Sequence, residues 1–516
     1  MKPFDQGGAF CCLEHDADVR RLAVRGAGFT VFSAAVTLVI QILGTAILAR
    51  MLTPEDFGLI TMVTTFSLLV SNFGLVGITE AVLQRERIDH ALVSNLFWVN
   101  LACGTFLTIA FAATGSLMVR FYGDHRVADV AIGISITILL TSASVLHLAL
   151  LKRALLFSTV SINDIVARAA SVIVSIALAL VGLGYWALVA GAIVLPLSTS
   201  IGAWICCQWV PSAPRRASGT GAMIRFATNT YARFALNYFS RNTDKLLVGW
   251  RFGAQPLGLY KKAYDLFALS ASQTVAPLTN VAVAAFSRLT GDATHYSRDI
   301  LKVTELFAFG GMALSGNLTL IGPDLIALVL GPGWERAGQI FSFLGPGIGC
   351  MLIYYVHGWI HLSLGRPDRW LRWGIIELIV TGLLFACGLS WGPEGMAVAW
   401  TLSYWVLLIP AFWYAGRPIE FKSSYLISAI WRYLGGSLFA GCLTALIIHE
   451  RLLVSVAPGP LGVVLRIGIV SLLFVALYFV TIIVFHWGLE PFRLVRSLLE
   501  KLRHRTPPYS ENTLAM

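Results

Sequence analysis

Residues 226–265 read FATNTYARFALNYFSRNTDKLLVGWRFGAQPLGLYKKAYD, a stretch in which polar side chains recur every four residues. This spacing places them in a slowly rotating stripe on one face of a helix. The stripe comprises Asn229, Arg233, Asn237, Arg241 and Lys245, with Asp244 beside its end. Apolar segments long enough to cross a bilayer flank it on both sides, and charged side chains in such segments are costly and face a bundle interior or a water-filled cavity. We therefore predict that this helix forms a wall of a polar pathway.

The composition is that of an integral membrane protein. Of the 516 residues, 57% are hydrophobic and 13% are charged, and the mean hydropathy is +0.75, whereas soluble domains average about 25% charged residues. The 8 cysteines include no CxxC motif, which predicts free thiols rather than disulfides or zinc ligands. Residues 1–25 contain acidic side chains and no long apolar run, so we expect no cleaved signal peptide and a first span that remains as an anchor.

Apolar runs of about 20 residues predict about fourteen transmembrane helices in an all-α protein. Lys and Arg concentrate in the connecting segments that share a side with the N-terminus, which predicts an even number of spans with both termini in the cytoplasm. The predicted regions are a cytoplasmic N-terminal segment (1–25), an N-lobe with spans 1–6 (26–210), a cytoplasmic linker (211–225), a C-lobe with spans 7–12 (226–416), spans 13 and 14 (429–486) and a basic cytoplasmic tail (487–516).

The two predicted lobes repeat each other. Residues 57–59 (FGL) recur 200 positions later as residues 257–259 (LGL), each after the first span of its lobe. Gly182 recurs 210 positions later as Gly392, each in the turn before the last span of its lobe. Matches in register at equivalent turns indicate two six-helix halves in the same orientation. Such halves suit alternating access, with the substrate between them.

Several stretches together carry a resemblance to a known family. They read ILARMLTPEDFGLITMVTTFSLLVSNFGLVGITEAVLQRERI at 47–88, SNLFWVNLACG at 94–104, FYGD at 121–124, SRNTDKLLVGWRFGAQPLGLYKKAYDL at 240–266 and GRPD at 365–368. Over about residues 25–415 the chain resembles the polysaccharide transporter branch of the MOP superfamily, the Wzx or WzxC-like flippases. The resemblance implies a MATE-like fold of two six-helix lobes and two C-terminal helices.

The same resemblance implies a flippase or exporter in the bacterial inner membrane. Members of this family turn undecaprenyl-diphosphate-linked oligosaccharides from the cytoplasmic to the periplasmic leaflet, for exopolysaccharide, capsule or O-antigen lipopolysaccharide. The implied partners are a lipid-linked oligosaccharide, membrane lipids, and a glycan polymerase and a chain-length regulator of the same pathway. We expect no cofactor, no nucleic acid and no enzymatic activity.

Cationic and amide side chains within the spans are candidates for binding the substrate, because Arg pairs with phosphate through bidentate hydrogen bonds and Lys does so as a point charge. The candidates are Arg168, Arg233, Asn237, Arg241, Asn242, Lys245, Lys261 and Lys262. Coupling or gating requires a group whose protonation changes between states. The candidates for this role are Asp164, Asp244, Asp265 and Glu377.

A structural interpretation of the same residues stays open. Cations and carboxylates in spans also pair with one another and hold helices together, or reach the interface with their charged ends. Arg241 and Asp244, three residues apart on a helix, suit either a structural clamp or a proton- or ion-sensitive latch. His357 and His361 lie four residues apart on one helical face, but no third ligand is near them in the sequence, so we predict no metal site.

Three other functions remain as alternatives. A peptidoglycan-precursor flippase and a MATE-type extruder share the superfamily fold, although the extruder lacks the basic cavity inferred here. A polytopic glycan polymerase or ligase is less well supported, because the predicted outside loops are short. The sequence also contains no paired-carboxylate motif and no P-loop.

Overall fold

Backbone amides in hydrocarbon have no water to bond, so segments that span a membrane satisfy them within helices or closed barrels. The computed structural model describes residues 3–5, 8, 10, 16–72, 77–85, 87–214, 220–419, 421, 423–448 and 459–488, and these are almost entirely helical. The helices are α1 Asp16–Met51, α2 Pro54–Asn72, α3 Thr79–Gln84, α4 His90–Ala113, α5 Gly115–Tyr122, α6 Arg126–Arg153, α7 Phe157–Leu180, α8 Tyr185–Cys207, α9 Thr220–Phe252, α10 Ala254–Ser287, α11 Ala293–Leu330, α12 Glu335–Leu344, α13 Ile348–Ser363, α14 Pro367–Gly388, α15 Gly392–Gly416, α16 Ser423–Ile447 and α17 Pro460–His486. The predicted basic tail (487–516) lies outside the described residues except for 487 and 488.

Among the described residues, 10 helical segments are long and apolar enough to cross a membrane. They do not include α9 and α10, whose polar side chains lower the hydropathy, and one segment, Asp368–Ile419, combines α14 and α15. Its 52 residues would extend about 78 Å as one straight helix, more than twice the roughly 30 Å of bilayer hydrocarbon. A 3₁₀ turn at Leu389–Trp391 divides it. The prediction of an all-α, multi-pass membrane protein is confirmed, and the count of fourteen spans stays a prediction.

The chain divides into two compact units. The first comprises Met1–Lys262 with Val329–Trp334 and Trp391–Pro393, and the second comprises Ala263–Leu328, Glu335–Ser390 and Glu394–Met516. In the first unit α9 packs against α2, α3, α4 and α5. The predicted lobes, with their linker at 211–225, stay a prediction, because compactness alone does not identify the segments that move together.

In the second unit, α16 and α17 are attached to α11 through hydrogen bonds to its backbone. Ser437 Oγ donates to the carbonyl oxygen of Met312 at 2.7 Å, and the Tyr478 hydroxyl donates to that of Phe309 at 2.8 Å. Both acceptors are backbone carbonyl oxygens within the helix α11. The last two helices are therefore fixed to the unit by polar contacts as well as by apolar packing.

In the first unit, α2 and α10 cross at two glycines. A Cβ atom added to Gly58 would lie 1.8 Å from the carbonyl oxygen of Ala254, and one added to Gly258 would lie 1.8 Å from that of Pro54. Each glycine thus packs against the first turn of the other helix. Gly58 and Gly258 are 200 positions apart, and so are Pro54 and Ala254, which is the offset of the sequence repeat. The reciprocal contact agrees with the repeat and requires that both positions lack a side chain.

Replacing Gly58 by Ala should destabilise the first unit by about 1–3 kcal/mol, because backbone atoms of α10 cannot rotate away from the new methyl group. The measurement is the thermal unfolding of the purified protein in detergent. Gly374→Ala is the matched control, since a Cβ there meets no atom within 4 Å. Equal melting temperatures for the two variants would contradict the crossing.

Candidate functional site

A buried cluster of a cation, a carboxylate and a hydroxyl lies between α9 and the start of α10. Asp244 and Tyr260 are 0% exposed and Lys245 is 4% exposed. Lys245 Nζ lies 3.3 Å from Asp244 Oδ1, and the Tyr260 hydroxyl donates to Asp244 Oδ2 at 2.8 Å. Lys245 Nζ also donates to the carbonyl oxygen of Arg241 at 3.2 Å. The two buried charges therefore compensate each other. The clamp predicted from the sequence pairs Asp244 with Arg241 instead, and it stays a prediction. The predicted roles of Lys245 in binding and Asp244 in gating stay predictions.

Two tyrosines fasten α9 to α2. The hydroxyl of Tyr231 donates to the carbonyl oxygen of Leu69 at 2.8 Å, and that of Tyr238 donates to the carbonyl oxygen of Thr65 at 2.7 Å. The sequence places Tyr231 among the apolar faces of the helix, so these bonds were not predicted. A buried tyrosine hydroxyl needs an acceptor. Here the acceptors are backbone carbonyl oxygens, which residue types do not identify.

The structure describes only part of the predicted polar stripe. Arg233 and Asn237 belong to α9, but their side chains lie outside the described residues. Arg241 is exposed, whereas Asn242 is half-buried and its side-chain amide donates to the carbonyl oxygen of Tyr238 at 2.8 Å. The charge of Arg241 is thus presented at the surface of the first unit, while the amide of Asn242 bonds within its own helix.

The remaining candidates of α10 and α14 are half-buried. Lys262 Nζ lies 4.2 Å from the centroid of the Phe57 ring, which is a cation–π contact with the start of α2. Lys261 belongs to the same unit, whereas Asp265 and Glu377 belong to the second unit. The cation–π contact gives Lys262 a structural partner, and the binding and coupling roles of these four residues stay predictions.

The polar face of α7 points into the first unit. Arg168 Nε donates to Asp164 Oδ2 at 3.0 Å, one helical turn away. Ile162, Val166 and Ile173, which lie on the opposite face by helical spacing, are exposed. Exposed apolar side chains on a spanning helix face lipid, so the ion pair lies on the face away from lipid, where its two side chains are 37% and 44% exposed. The structure brings together these two predicted residues, one from the binding set and one from the coupling set.

A cavity of about 240 Å³ adjoins the polar face of α7. It is lined by residues of α1, α2, α7 and α8, all of the first unit, including Arg168, Ser171 and Ser175. Ser171 Oγ donates to the carbonyl oxygen of Gly191 on α8 at 2.7 Å, which holds one wall of the cavity. The sequence did not predict the position of this cavity, although the spacing of Asp164, Arg168, Ser171 and Ser175 places them on one helical face.

Each unit also contains a buried histidine that follows the sequence repeat. His147 on α6 stacks on Trp204 with ring centroids 4.1 Å apart, and His357 on α13 lies 4.2 Å from Tyr354. The two histidines are 210 positions apart, the same offset as that of the predicted turns. The spacing of His357 and His361 draws attention to His357 in the sequence, whereas His147 is found only through the 210-residue offset.

Replacing Asp244 by Asn should lower the free energy of unfolding by about 3–5 kcal/mol, because it removes the buried carboxylate that pairs with Lys245 and accepts the hydrogen bond of Tyr260. The measurement is thermal or denaturant unfolding of the purified protein in detergent. Asp299→Asn is the control, since it breaks an exposed pair with Lys302 at 2.9 Å and should cost less than about 1 kcal/mol. A variant of Asp244 as stable as that of Asp299 would show that the cluster is not a clamp.

Comparison with known proteins assigns the chain to a family. The family described as "Polysaccharide biosynthesis protein" matches residues 47–339. The succinoglycan biosynthesis transport protein ExoT of Rhizobium meliloti (strain 1021) is 20% identical over 385 residues, which cover 74% of this chain and 77% of that protein.

Two solved structures share the fold. The lipid II flippase MurJ, in an inward closed conformation, superimposes with a TM-score of 0.70 at 13% identity, over 92% of this chain and 100% of that one. An inward-facing multidrug resistance MATE family transporter of the MOP superfamily superimposes with a TM-score of 0.60 at 12% identity, over 76% of this chain and 96% of that one.

The family match extends over more than half of the chain, and the resemblance and the MATE-like fold predicted from the sequence are confirmed. This chain belongs to the polysaccharide biosynthesis protein family and has the fold of the MOP-superfamily transporters.

Proposed function

We propose that this chain is a flippase or exporter that moves oligosaccharide repeat units linked to undecaprenyl diphosphate from the cytoplasmic to the periplasmic leaflet of the bacterial inner membrane. The glycan serves exopolysaccharide, capsule or O-antigen synthesis, and both termini lie in the cytoplasm. The observation that carries the proposal is the family match on a transporter fold. The description of ExoT as a succinoglycan biosynthesis transport protein supports a polysaccharide precursor as the substrate.

The substrate defines what the protein must supply. Sugars and phosphates do not cross hydrocarbon unaided, whereas the prenyl tail never needs to leave it. A transporter that alternates its access to the two leaflets therefore needs a polar interior for the head of the substrate and an apolar exterior for the tail. The first unit provides both on one helix, since α7 carries Arg168 on its inner face and exposed apolar side chains on its outer face.

The proposed binding residues supply charge and amide groups for the diphosphate and the sugars. They are Arg168, Arg233, Asn237, Arg241, Asn242, Lys261 and Lys262. Exposure of its charge at the surface of α9 supports this role for Arg241. Lys245, which pairs with Asp244 in the buried cluster, is a further proposed binding residue. Asp164, Asp244, Asp265 and Glu377 supply the groups whose protonation couples transport. The family and the fold are those of transporters, so no catalytic residue is proposed.

A peptidoglycan-precursor flippase is the second candidate, and the TM-score of 0.70 with MurJ over the full length of that chain favours it. At 13% identity this likeness concerns the fold alone. The family is described by polysaccharide biosynthesis and the relative ExoT by succinoglycan biosynthesis transport, which favours the polysaccharide precursor. A glycan polymerase and a chain-length regulator of the same pathway are the proposed protein partners.

A deletion strain should accumulate the lipid-linked oligosaccharide in the cytoplasmic leaflet, and the wild-type gene should relieve the accumulation. The leaflet is assigned with a membrane-impermeant sugar-binding probe. Arg241→Gln should restore export about 10-fold less well than wild type at equal membrane levels, because it removes a charge-assisted hydrogen bond to the substrate. Arg120→Gln is the control, since this exposed arginine lies in the last turn of α5 and is not among the proposed residues.

Two outcomes would contradict these proposals separately. A normal leaflet distribution with an altered glycan in the deletion strain would overturn the flippase function and favour an enzyme. Full restoration by Arg241→Gln, with accumulation in the deletion strain itself, would retain the function and remove Arg241 from the binding set.

A further inference from the structure

The spanning helix α16 carries one charged side chain, Arg432, and the described part of the chain supplies no counter-ion for it. Residues 424–447 are long and apolar enough to cross a membrane, and Arg432 is the single Lys, Arg, Asp or Glu among them. Its Nε atom is buried without a hydrogen-bond partner, and the described residues form no ion pair with it. By contrast, Arg466 of the neighbouring helix α17 pairs with Asp324 of α11. Because charge in a span is costly unless it is paired or solvated, the guanidinium of Arg432 requires a partner from outside the described chain.

The position of Arg432 along α16 carries its charge toward one surface of the bilayer. The 25 residues of α16 rise about 37 Å, slightly more than the roughly 30 Å of bilayer hydrocarbon. Arg432 follows Ser423, the first residue of the helix, by nine positions, which is a rise of roughly 13 Å. Side chains of a helix tilt toward its N-terminal end, and long cationic side chains extend to the nearest polar boundary. The guanidinium is therefore directed to the headgroups of the leaflet in which α16 begins.

The face of α16 that carries Arg432 is turned toward lipid. Ser428 and Tyr425, which lie one and two turns before Arg432 at helical spacing, are exposed, and Arg432 itself is half-buried. The next residue, Tyr433, is 4% exposed and packs on Phe309 of α11, with ring centroids 5.9 Å apart. The helix thus buries Tyr433 against the protein and leaves Arg432 accessible from the bilayer, so the partner of its charge is a component of the membrane.

An aromatic surface lies beside the guanidinium. Its Cζ atom is 5.6 Å from the centroid of the Trp431 ring, which is 51% exposed and stacks on Phe485 of α17 at 6.4 Å. A second pair of the same kind lies at the end of α15, where the Cζ atom of Arg417 is 3.8 Å from the centroid of the half-exposed Trp413 ring. Tryptophan is enriched at the boundary between hydrocarbon and headgroups, so both pairs are typical of helix ends that contact lipid headgroups.

We propose that Arg432, with the Trp431 ring beside it, binds the phosphate of an anionic phospholipid in the leaflet where α16 begins. A guanidinium donates two parallel hydrogen bonds to a phosphate. In a zwitterionic headgroup the ammonium group already balances the phosphate, whereas an anionic headgroup such as phosphatidylglycerol keeps a net charge for Arg432 to neutralise.

The acyl chains of this lipid lie against exposed apolar side chains further along α16. Leu438 and Phe439, which follow Trp431 and Arg432 by two turns, are 60% and 57% exposed. The inference goes beyond the proposed transport, because the phospholipid is a resident ligand of α16 and not the cargo, and Arg432 is not among the residues proposed to bind the cargo.

Native mass spectrometry of the full chain measures the binding. The purified protein, freed of phospholipid in a neutral detergent, is titrated with phosphatidylglycerol, phosphatidylcholine or farnesyl diphosphate, and the apparent dissociation constants of the first adducts are compared. Farnesyl diphosphate presents the prenyl diphosphate of the proposed cargo. Wild type should bind phosphatidylglycerol about 5-fold more tightly than phosphatidylcholine, which is the effect of one cation near anionic lipid.

Variants assign the preference to Arg432. Arg432→Gln should weaken the affinity for phosphatidylglycerol about 5-fold and so remove the preference over phosphatidylcholine. Arg432→Lys should retain most of the preference, because it keeps the charge while it loses the bidentate fork. Arg298→Gln is the matched control and should keep the full preference, since it removes an exposed arginine near the start of α11 in the same unit.

The stability of Arg432→Gln separates a lipid partner from a partner within the protein. In phospholipid-free detergent its melting temperature should be no lower than that of wild type, because the substitution leaves no carboxylate of the protein unpaired. Added phosphatidylglycerol should raise the melting temperature of wild type more than that of the variant. A lower melting temperature of the variant before lipid is added would show a partner within the protein and contradict the proposal.

Three further results would overturn the proposal. One is equal affinity of wild type for the two phospholipids, and another is unchanged affinity for phosphatidylglycerol in Arg432→Gln. The third is tighter binding of farnesyl diphosphate than of phosphatidylglycerol, lost in Arg432→Gln, which would assign the guanidinium to the prenyl carrier. The leaflet assay in the deletion strain tests the proposed flippase on its own, whatever these titrations show.

Discussion

Charge within bilayer hydrocarbon is stable only where it is paired or solvated, and this constraint governs the arrangement of every ionisable group in the spans. Asp244 and Lys245 satisfy it inside one copy of the repeat, with the Tyr260 hydroxyl as an additional donor. Arg168 satisfies it in part, through Asp164. A helix that carries charge on its inner face can expose apolar side chains to lipid on its outer face, and that division makes a polar route through hydrocarbon physically possible.

The sequence predicted what depends on local periodicity. The helical class, the polar stripe of residues 226–265 and the register of the repeat follow from spacings of four residues and of about 200, and these need no knowledge of neighbours. It did not predict that Tyr231 and Tyr238 donate hydrogen bonds to carbonyl groups of α2. Every residue has a backbone carbonyl, so the residue types do not show which carbonyl accepts. It also did not predict that Lys245 lies against Asp244, since adjacent residues on an ideal helix face apart.

The repeat explains why similar scaffolds hold different chemistry in their two copies. Close contacts such as that of Gly58 with Ala254 constrain the backbone, and they recur at the equivalent positions. Side chains that face an interior are free to change once the backbone is fixed, and Asp244 and Lys245 of one copy correspond to Gly44 and Thr45 of the other. A duplicated fold can therefore retain a buried ion pair in one copy and lack it at the equivalent positions of the other.

The crossing of α2 and α10 has a mechanical consequence. Its closest contacts join glycine positions to carbonyl oxygens, and the cation–π contact of Lys262 with Phe57 lies beside them. Contacts of the Cα–H···O type contribute only about 0.5–1 kcal/mol each, and glycine has no rotamer to reset when such a contact breaks. The glycine contacts themselves can therefore break and re-form without a change of side-chain rotamer, so they contribute little resistance to a change in the angle between the two helix ends.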